Sequence, residues 1–353
     1  MDTETPLEER LVPSEWPTQG NAKIAFIGEA PSTEELEEGR PFVGPAGRLF
    51  NAMLRAANID RSACFIGNVF QFKLPENSTV AYRKFVGEAE YKAVWQKNVA
   101  RLKDELETYG PNVVVPLGNT ALLALAGTAS IGNLRGHVVQ AVPPMPPFKL
   151  VPTYHPAFVL RQIKLYTITV MDFVKADAEA RRGPEIIYPK RELIINPTID
   201  EVEHYLAEWE KTDLLSCDIE TGWSMIRGIA FAPNQEIAMY VPFVTLDRHD
   251  RNYWRTLDEE VRAWRAVKRI LESPVPKLGQ NFAHYDWIWL FKQAGIKVRN
   301  LRHDTRLLHH ALYAELPKSL GFMAANYSTQ GAWKHWAEHS GIRKKDRREK
   351  RDE

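Results

Sequence analysis

The chain has 353 residues, 44% of them hydrophobic and 26% charged, with a net charge of +1. Such a chain buries a sizeable core and is expected to divide into two domains. Its apolar runs break well short of the roughly 20 residues a membrane helix needs, no leader pattern opens it, and a cytoplasmic location without membrane contact is the expectation.

In chain order, apolar runs that read as strands alternate with longer amphipathic stretches, the signature of an α/β protein. Residues 1–21 read as a tail. The first domain, 22–180, reads as strand 24–27, helix 49–57, strand 64–69, helix 86–109, strand 113–117, helix 120–126 and strand 150–153. The stretch 181–197 is rich in proline and mixed charge, without helical period, and reads as a linker. The second domain, 198–353, opens with helix 199–209 and strand 214–219. "GIAFA" and "IAMYVPF" then alternate like a hairpin, followed by helix 258–271, strand 277–280, a helical run from 286 and helix 305–313. The closing "RKKDRREKRDE" reads as a solvated charged run. The only cysteines, Cys64 and Cys217, lie far apart inside strand-like runs, which leaves neither a disulfide framework nor a four-cysteine metal site.

Ligands of open α/β sheets sit beyond the carboxyl ends of the strands. Three loops there carry chemistry: "GEAPS" and "GRPFVGPAG" after the first strand, "GNVFQFK" after the second, and "TYHPAFVLR" after the last. They bring Glu29, Phe42, Asn68 and His155 toward one cleft. A planar heterocycle needs an aromatic face, which Phe42 offers, and an amide that both donates and accepts, which Asn68 offers. A base leaving as an anion needs a donor such as His155, and Glu29 can orient a water or stabilise positive charge on a sugar. Gly28 lets backbone approach the ligand and Pro31 stiffens the loop.

These segments, with "GPNVVVPLGNTALLALAG" and "NLRGHVV", resemble the motifs of the family-4 type uracil-DNA glycosylases in order and spacing over about 22–176. The resemblance implies a three-layer α/β/α domain that excises uracil from DNA by base flipping. It places Glu29 at the water-activating position, Phe42 on the uracil ring, Asn68 at its edge and His155 at the departing base. Gly28, Ala30, Pro31 and Ser32 form the loop around the substrate. Arg161 and the apolar residues 158–160 fall at the DNA surface. Two departures stand out. The family's four-cysteine iron–sulfur cluster has no ligands here, since no cysteine pair precedes Ile24 and Phe72 stands at the ligand position after "NVFQ". No cofactor is therefore expected for this domain, and Phe72 and Trp95 are expected to replace the cluster by packing. Ser32 stands where the family has glycine.

In the second domain "LLSCDIET" sets Asp218 and Glu220 two apart on a strand, hence on one face. "LGQNFAHYD" brings Asp286 to a helix start, and three carboxylates on one surface can hold Mg2+ or Mn2+ for attack on a phosphodiester. With "HDTRLLHHAL" the pattern resembles the DEDD-type 3′–5′ exonuclease of family-A DNA polymerases, particularly phage ones, which implies a ribonuclease H-like domain. The family's fourth carboxylate, at a Tyr-x-x-x-Asp or His-x-x-x-x-Asp spacing, is missing: Pro317 and Gly331 stand four positions after Tyr313 and Tyr327, and Ser340 and Lys344 five positions after His335 and His339. This domain is expected to be incomplete, with weak or no exonuclease activity. The whole reads as a DNA-processing protein that excises uracil in a bacterial or phage-infected cell, with a polymerase subunit or replication proteins as candidate partners. The rival expectation is a non-catalytic uracil- or DNA-binding accessory subunit, or the front piece of a split phage DNA polymerase.

Overall fold

The computed structural model describes residues 10–188, 190–329 and 331. They fall into two compact units, one running to Ile187 and taking in the described residues from Gly321, the other Tyr188–Leu320. The sequence places everything from 198 in the second domain, so residues from Gly321 group differently here. Among the described residues no helix is long and apolar enough to cross a membrane.

The first unit runs β1 (Ile24–Gly28), α1 (Thr33–Glu38), α2 (Pro45–Ala56), β2 (Phe65–Asn68), α3 (Thr79–Val86) and α4 (Glu88–Tyr109). It continues β3 (Val113–Pro116), α5 (Asn119–Ala126), α6 (Ile131–Leu134), β4 (Val139–Gln140), β5 (Lys149–Leu150), α7 (Pro156–Arg161) and α8 (Tyr166–Arg181). Its sheet has the order β2-β1-β3-β5-β4, parallel except for β4 against β5. Strand side chains alternate between faces. Ile24 and Phe26 meet Phe50 and Met53 of α2 and Phe173 of α8, while Ala25 and Ile27 belong to the cluster of Leu102 and Leu106 of α4 and Leu122 of α5. A sheet covered on both faces needs apolar residues at every position, which is why its strands read as unbroken apolar runs rather than alternating ones. This is the three-layer α/β/α arrangement.

Three departures from the expected elements have local causes. Gly87, at φ +84°, interrupts the expected helix 86–109 and separates α3 from α4. Helix α8 has no clear polar face, because Asp172 and Glu179 are buried along with Ile168 and Phe173. Asp172 accepts from Thr153 Oγ1 at 2.6 Å and Arg135 Nε at 3.0 Å, and Arg135 Nη2 donates at 3.0 Å to Asn326 of the helix Leu320–Tyr327. Finally, residues 10–21 run along β2: Glu15 pairs antiparallel with Ile66, and Val12 N donates to Gln71 O at 2.7 Å.

The second unit runs β6 (Glu192–Ile194), α9 (Ile199–Trp209), β7 (Leu215–Gly222), β8 (Met225–Ala232), β9 (Ile237–Pro242) and α10 (Leu257–Glu272). It closes with β10 (Lys277–Gly279), α11 (Asp286–Ala294), β11 (Leu301–Asp304) and α12 (Thr305–Leu312). The sheet order is β11-β10-β7-β8-β9-β6, with β7, β8 and β9 antiparallel and the other pairings parallel. Val202 and Leu206 of α9 and Val267 and Ile270 of α10 share a core with Ile229 and Phe231 of β8.

Candidate active site

The strand register builds the site of the first unit. Gly28 at the end of β1 lies beside Asn68 at the end of β2, and an isolated parallel bridge, Leu117 to Thr153, extends β3 toward the loop that carries His155. A cavity of about 310 Å³ opens there, lined by Glu29, Phe42, Asn68, His155, Ser32 and Arg161 among others. The four groups expected from separate loops thus share one cavity, with Ala30, Ser32 and Arg161 on its wall.

Close approach explains the glycines. A Cβ on Gly28 would lie 2.3 Å from Asn68 Oδ1 and 2.6 Å from Phe42 Cζ, so only glycine lets amide and ring come this near. A Cβ on Gly47 would lie 2.0 Å from the Phe42 carbonyl. Phe42 itself sits in the left-handed region at φ +55°, a conformation a bulky residue keeps only when its surroundings enforce it. Its N–H is held by the buried Glu35 carboxylate, and its ring lies 4.8 Å from that of Phe50 and 5.8 Å from that of His155.

Each polar group is prepared differently. His155 caps α7: its Nδ1 accepts the Ala157 N–H at 3.2 Å, which leaves the ring proton on Nε2. Burial, with Arg161 adding to it, pushes the imidazole down to about 4, so a neutral N–H donor faces the cavity near neutral pH. Burial raises Glu29 above the usual carboxylate value, while hydrogen bonds from the Thr120 hydroxyl and from Thr79 oppose that rise. Asn68 is 3% exposed and its Nδ2 is buried with no hydrogen-bond partner. Glu35 and Asn77 also line the cavity, and Thr79 and Thr120 bond the Glu29 carboxylate, four contributions to the site that the sequence analysis does not assign. The signals for Thr120 are its place inside the "GPNVVVPLGNTALLALAG" motif and just past the carboxyl end of β3.

A cluster bound by four cysteines does not fit this chain. It has two cysteines, one in each unit and both buried, and burial pushes the Cys64 thiol up to about 12. Phe72 and Trp95 instead join an aromatic group around Phe70, at 5.5 and 5.8 Å, with Tyr82 and Tyr91 completing it.

In the second unit Asp218 and Glu220 share the exposed side of β7, as their spacing required. Asp286 departs from the expected surface trio. It is 3% exposed, its Oδ1 accepts Ile219 N–H at 2.9 Å, and burial with the nearby charges of Asp218 and Asp304 raises it to about 6. Among the described residues no group of three or more His, Cys, Asp or Glu is placed to hold a metal ion.

Residues 17–176 match the family model described as the uracil DNA glycosylase superfamily. The type-4 uracil-DNA glycosylase of Thermotoga maritima is 33% identical over 164 residues, 45% of this chain and 79% of that protein. The type-4 enzyme of Archaeoglobus fulgidus is 33% identical over 167 residues, 45% of this chain and 78% of its own length. A DNA polymerase of Bacillus phage SP01 is 23% identical over 207 residues, 57% of this chain but 21% of the polymerase. Among solved structures, an EXD2 exonuclease domain soaked in Mn and GMP aligns with TM-score 0.26 and 20% identity, covering 38% of this chain and 68% of that one, too distant to carry an argument.

Proposed function

The chain belongs to the uracil-DNA glycosylase superfamily, and on that premise we propose that it removes uracil from DNA by hydrolysing the N-glycosidic bond of an extruded deoxyuridine. One observation carries the reading: the Asn68 amide N–H2 is buried without a partner in the cavity that Phe42 and His155 also line. A buried unpaired donor costs roughly 1–3 kcal/mol, so its retention calls for a ligand acceptor.

The steps follow from the groups present. An extruded pyrimidine stacks on Phe42 and pairs with Asn68, whose amide matches an edge that offers both an acceptor and a donor. As the bond to the sugar breaks, negative charge gathers on the base carbonyls. The neutral His155 meets it with Nε2–H, an arrangement that strengthens as the charge grows. Glu29, ionised, stabilises the positive sugar and orients a water whose oxygen bonds to C1′ as the bond to the base breaks; the water's proton passes to Glu29 and on to solvent, and the base departs as an anion that takes up a proton from solvent. Arg161, on the cavity rim, and the exposed Leu160 and Ile163 beside it face the DNA, the apolar pair filling the emptied stack.

The pH dependence has a definite sign. Glu29 must be charged, and its carboxyl is raised above 4.5, so activity falls on acidification at a higher pH than an ordinary carboxylate would give. His155, at about 4, stays neutral through that range and adds no limb above it. The test is a uracil-bearing oligonucleotide treated with protein and then alkali across a pH series from acid to neutral. Strand breaks with an acid limb that disappears in Glu29→Gln support the reading. Absence of breaks from the wild-type protein at every pH would point instead to a uracil-binding accessory protein.

For Tyr188–Leu320 we infer a unit of nuclease origin that now holds DNA or a polymerase partner. The paired acids on the exposed side of β7 support the origin. The inward-turned Asp286 speaks against a working pair of cations.

A further inference from the structure

We infer that Ser14 and Glu15, in the segment that precedes β1, are positioning residues that set the base pocket through two half-buried arginine hubs. The inference rests on the proposed uracil pocket for its meaning, and on the following geometry for its substance.

The first hub is Arg61. It donates Nε and Nη2 to the two oxygens of Glu15 at 3.1 and 2.8 Å, a fork-on-fork pair. So fixed, its remaining donors reach Pro41 O at 2.7 Å, Phe42 O at 3.2 Å and Asn51 Oδ1 at 2.8 Å. Arg61 therefore holds the carbonyl side of the strained Phe42 turn, while Glu35 holds its N–H. The second hub is Arg101, whose Nη2 donates to Asn68 O and Val69 O, both at 2.8 Å. Its Nη1 is oriented by Glu105 Oε2 at 2.7 Å, and Ser14 Oγ donates to that same oxygen at 2.8 Å.

Two consecutive side chains thus reach the two loops that carry the stacking ring and the pairing amide. The register makes this possible, because neighbours on a strand point to opposite faces. Backbone pairing and apolar contacts fasten the segment along β2. Glu15 N donates to Ile66 O at 2.7 Å, Val12 is 2% exposed, and the Trp16 ring meets Phe65 at 5.1 Å. Gly67 carries the imprint, since a Cβ there would lie 2.6 Å from Ser14 Oγ.

The test combines hydrogen–deuterium exchange with turnover on the full chain, comparing wild type, Glu15→Gln and Ser14→Ala. Glu15→Gln is expected to speed exchange in peptides spanning 39–47 by about tenfold, and Ser14→Ala to do so for 67–71, with α5 unchanged in both. Turnover on uracil-bearing DNA is expected to fall about tenfold through kcat, with a smaller change in KM, as a misplaced pocket demands. Unchanged exchange in both loops, or a uniform rise across the unit in both variants, overturns the inference. If loops loosen selectively while wild-type protein releases no uracil, the inference stands and the functional reading fails.

Discussion

His155→Ala is expected to lower uracil excision by about two to three orders of magnitude in kcat, the usual cost of losing one donor aimed at developing negative charge. The size follows from where the imidazole sits. Its Nδ1 is committed to the Ala157 N–H, so its single proton lies on Nε2, and burial keeps the ring neutral down to about pH 4. Such a ring serves as a fixed dipole rather than an acid, and its loss leaves the departing base with no compensating donor from α7. The variant also loses the α7 cap, at a cost of about 1 kcal/mol. Melting should therefore drop by a few degrees while activity collapses, and the acid limb set by Glu29 should stay where it was. Steady-state rates across pH with thermal melts check both halves.

Asn68→Ala is expected to behave in the opposite way on stability. Activity should fall by about a hundredfold or more, because the amide supplies both a donor and an acceptor to the base, and a site left without them cannot hold the pyrimidine edge. Yet in the free protein Nδ2 is buried and unpartnered, a standing penalty that the alanine removes. The melting temperature should then hold or rise, the signature of a group kept for function at the expense of stability. A melting point lowered by several degrees would mean that the amide serves the fold instead.

Much of this site is legible in the chain because parallel, doubly covered strands announce themselves as apolar runs. Segments expected at 24–27, 64–69 and 113–117 are found as Ile24–Gly28, Phe65–Asn68 and Val113–Pro116, and their carboxyl ends locate the loops that carry Glu29 and Asn68. Partnerships across long separations are not legible in the same way. Arg61 pairs with Glu15, 46 residues away, and Arg101 holds Asn68 O from 33 residues away; no periodicity or motif encodes either. Residues 10–21 read as a tail because a single short edge pairing leaves too few residues to show alternation. Helix α8 escapes a reading by periodicity because its acidic residues are buried and bonded, which erases the polar face that marks a helix. Asp286 shows the reverse limit. Spacing places it near Asp218, but only the fold shows its carboxylate turned to the Ile219 backbone.

A titration of free uracil, followed by nuclear magnetic resonance with assigned signals for the Asn68 side-chain amide, the His155 ring N–H and the Phe42 ring, probes the proposed pocket at its three defining groups. All three are expected to move with one binding curve, the two N–H signals downfield as they acquire acceptors and the aromatic signals as a base stacks on the ring. Uracil that binds while leaving these three signals still, or that shifts only groups outside this cavity, would refute the assignment.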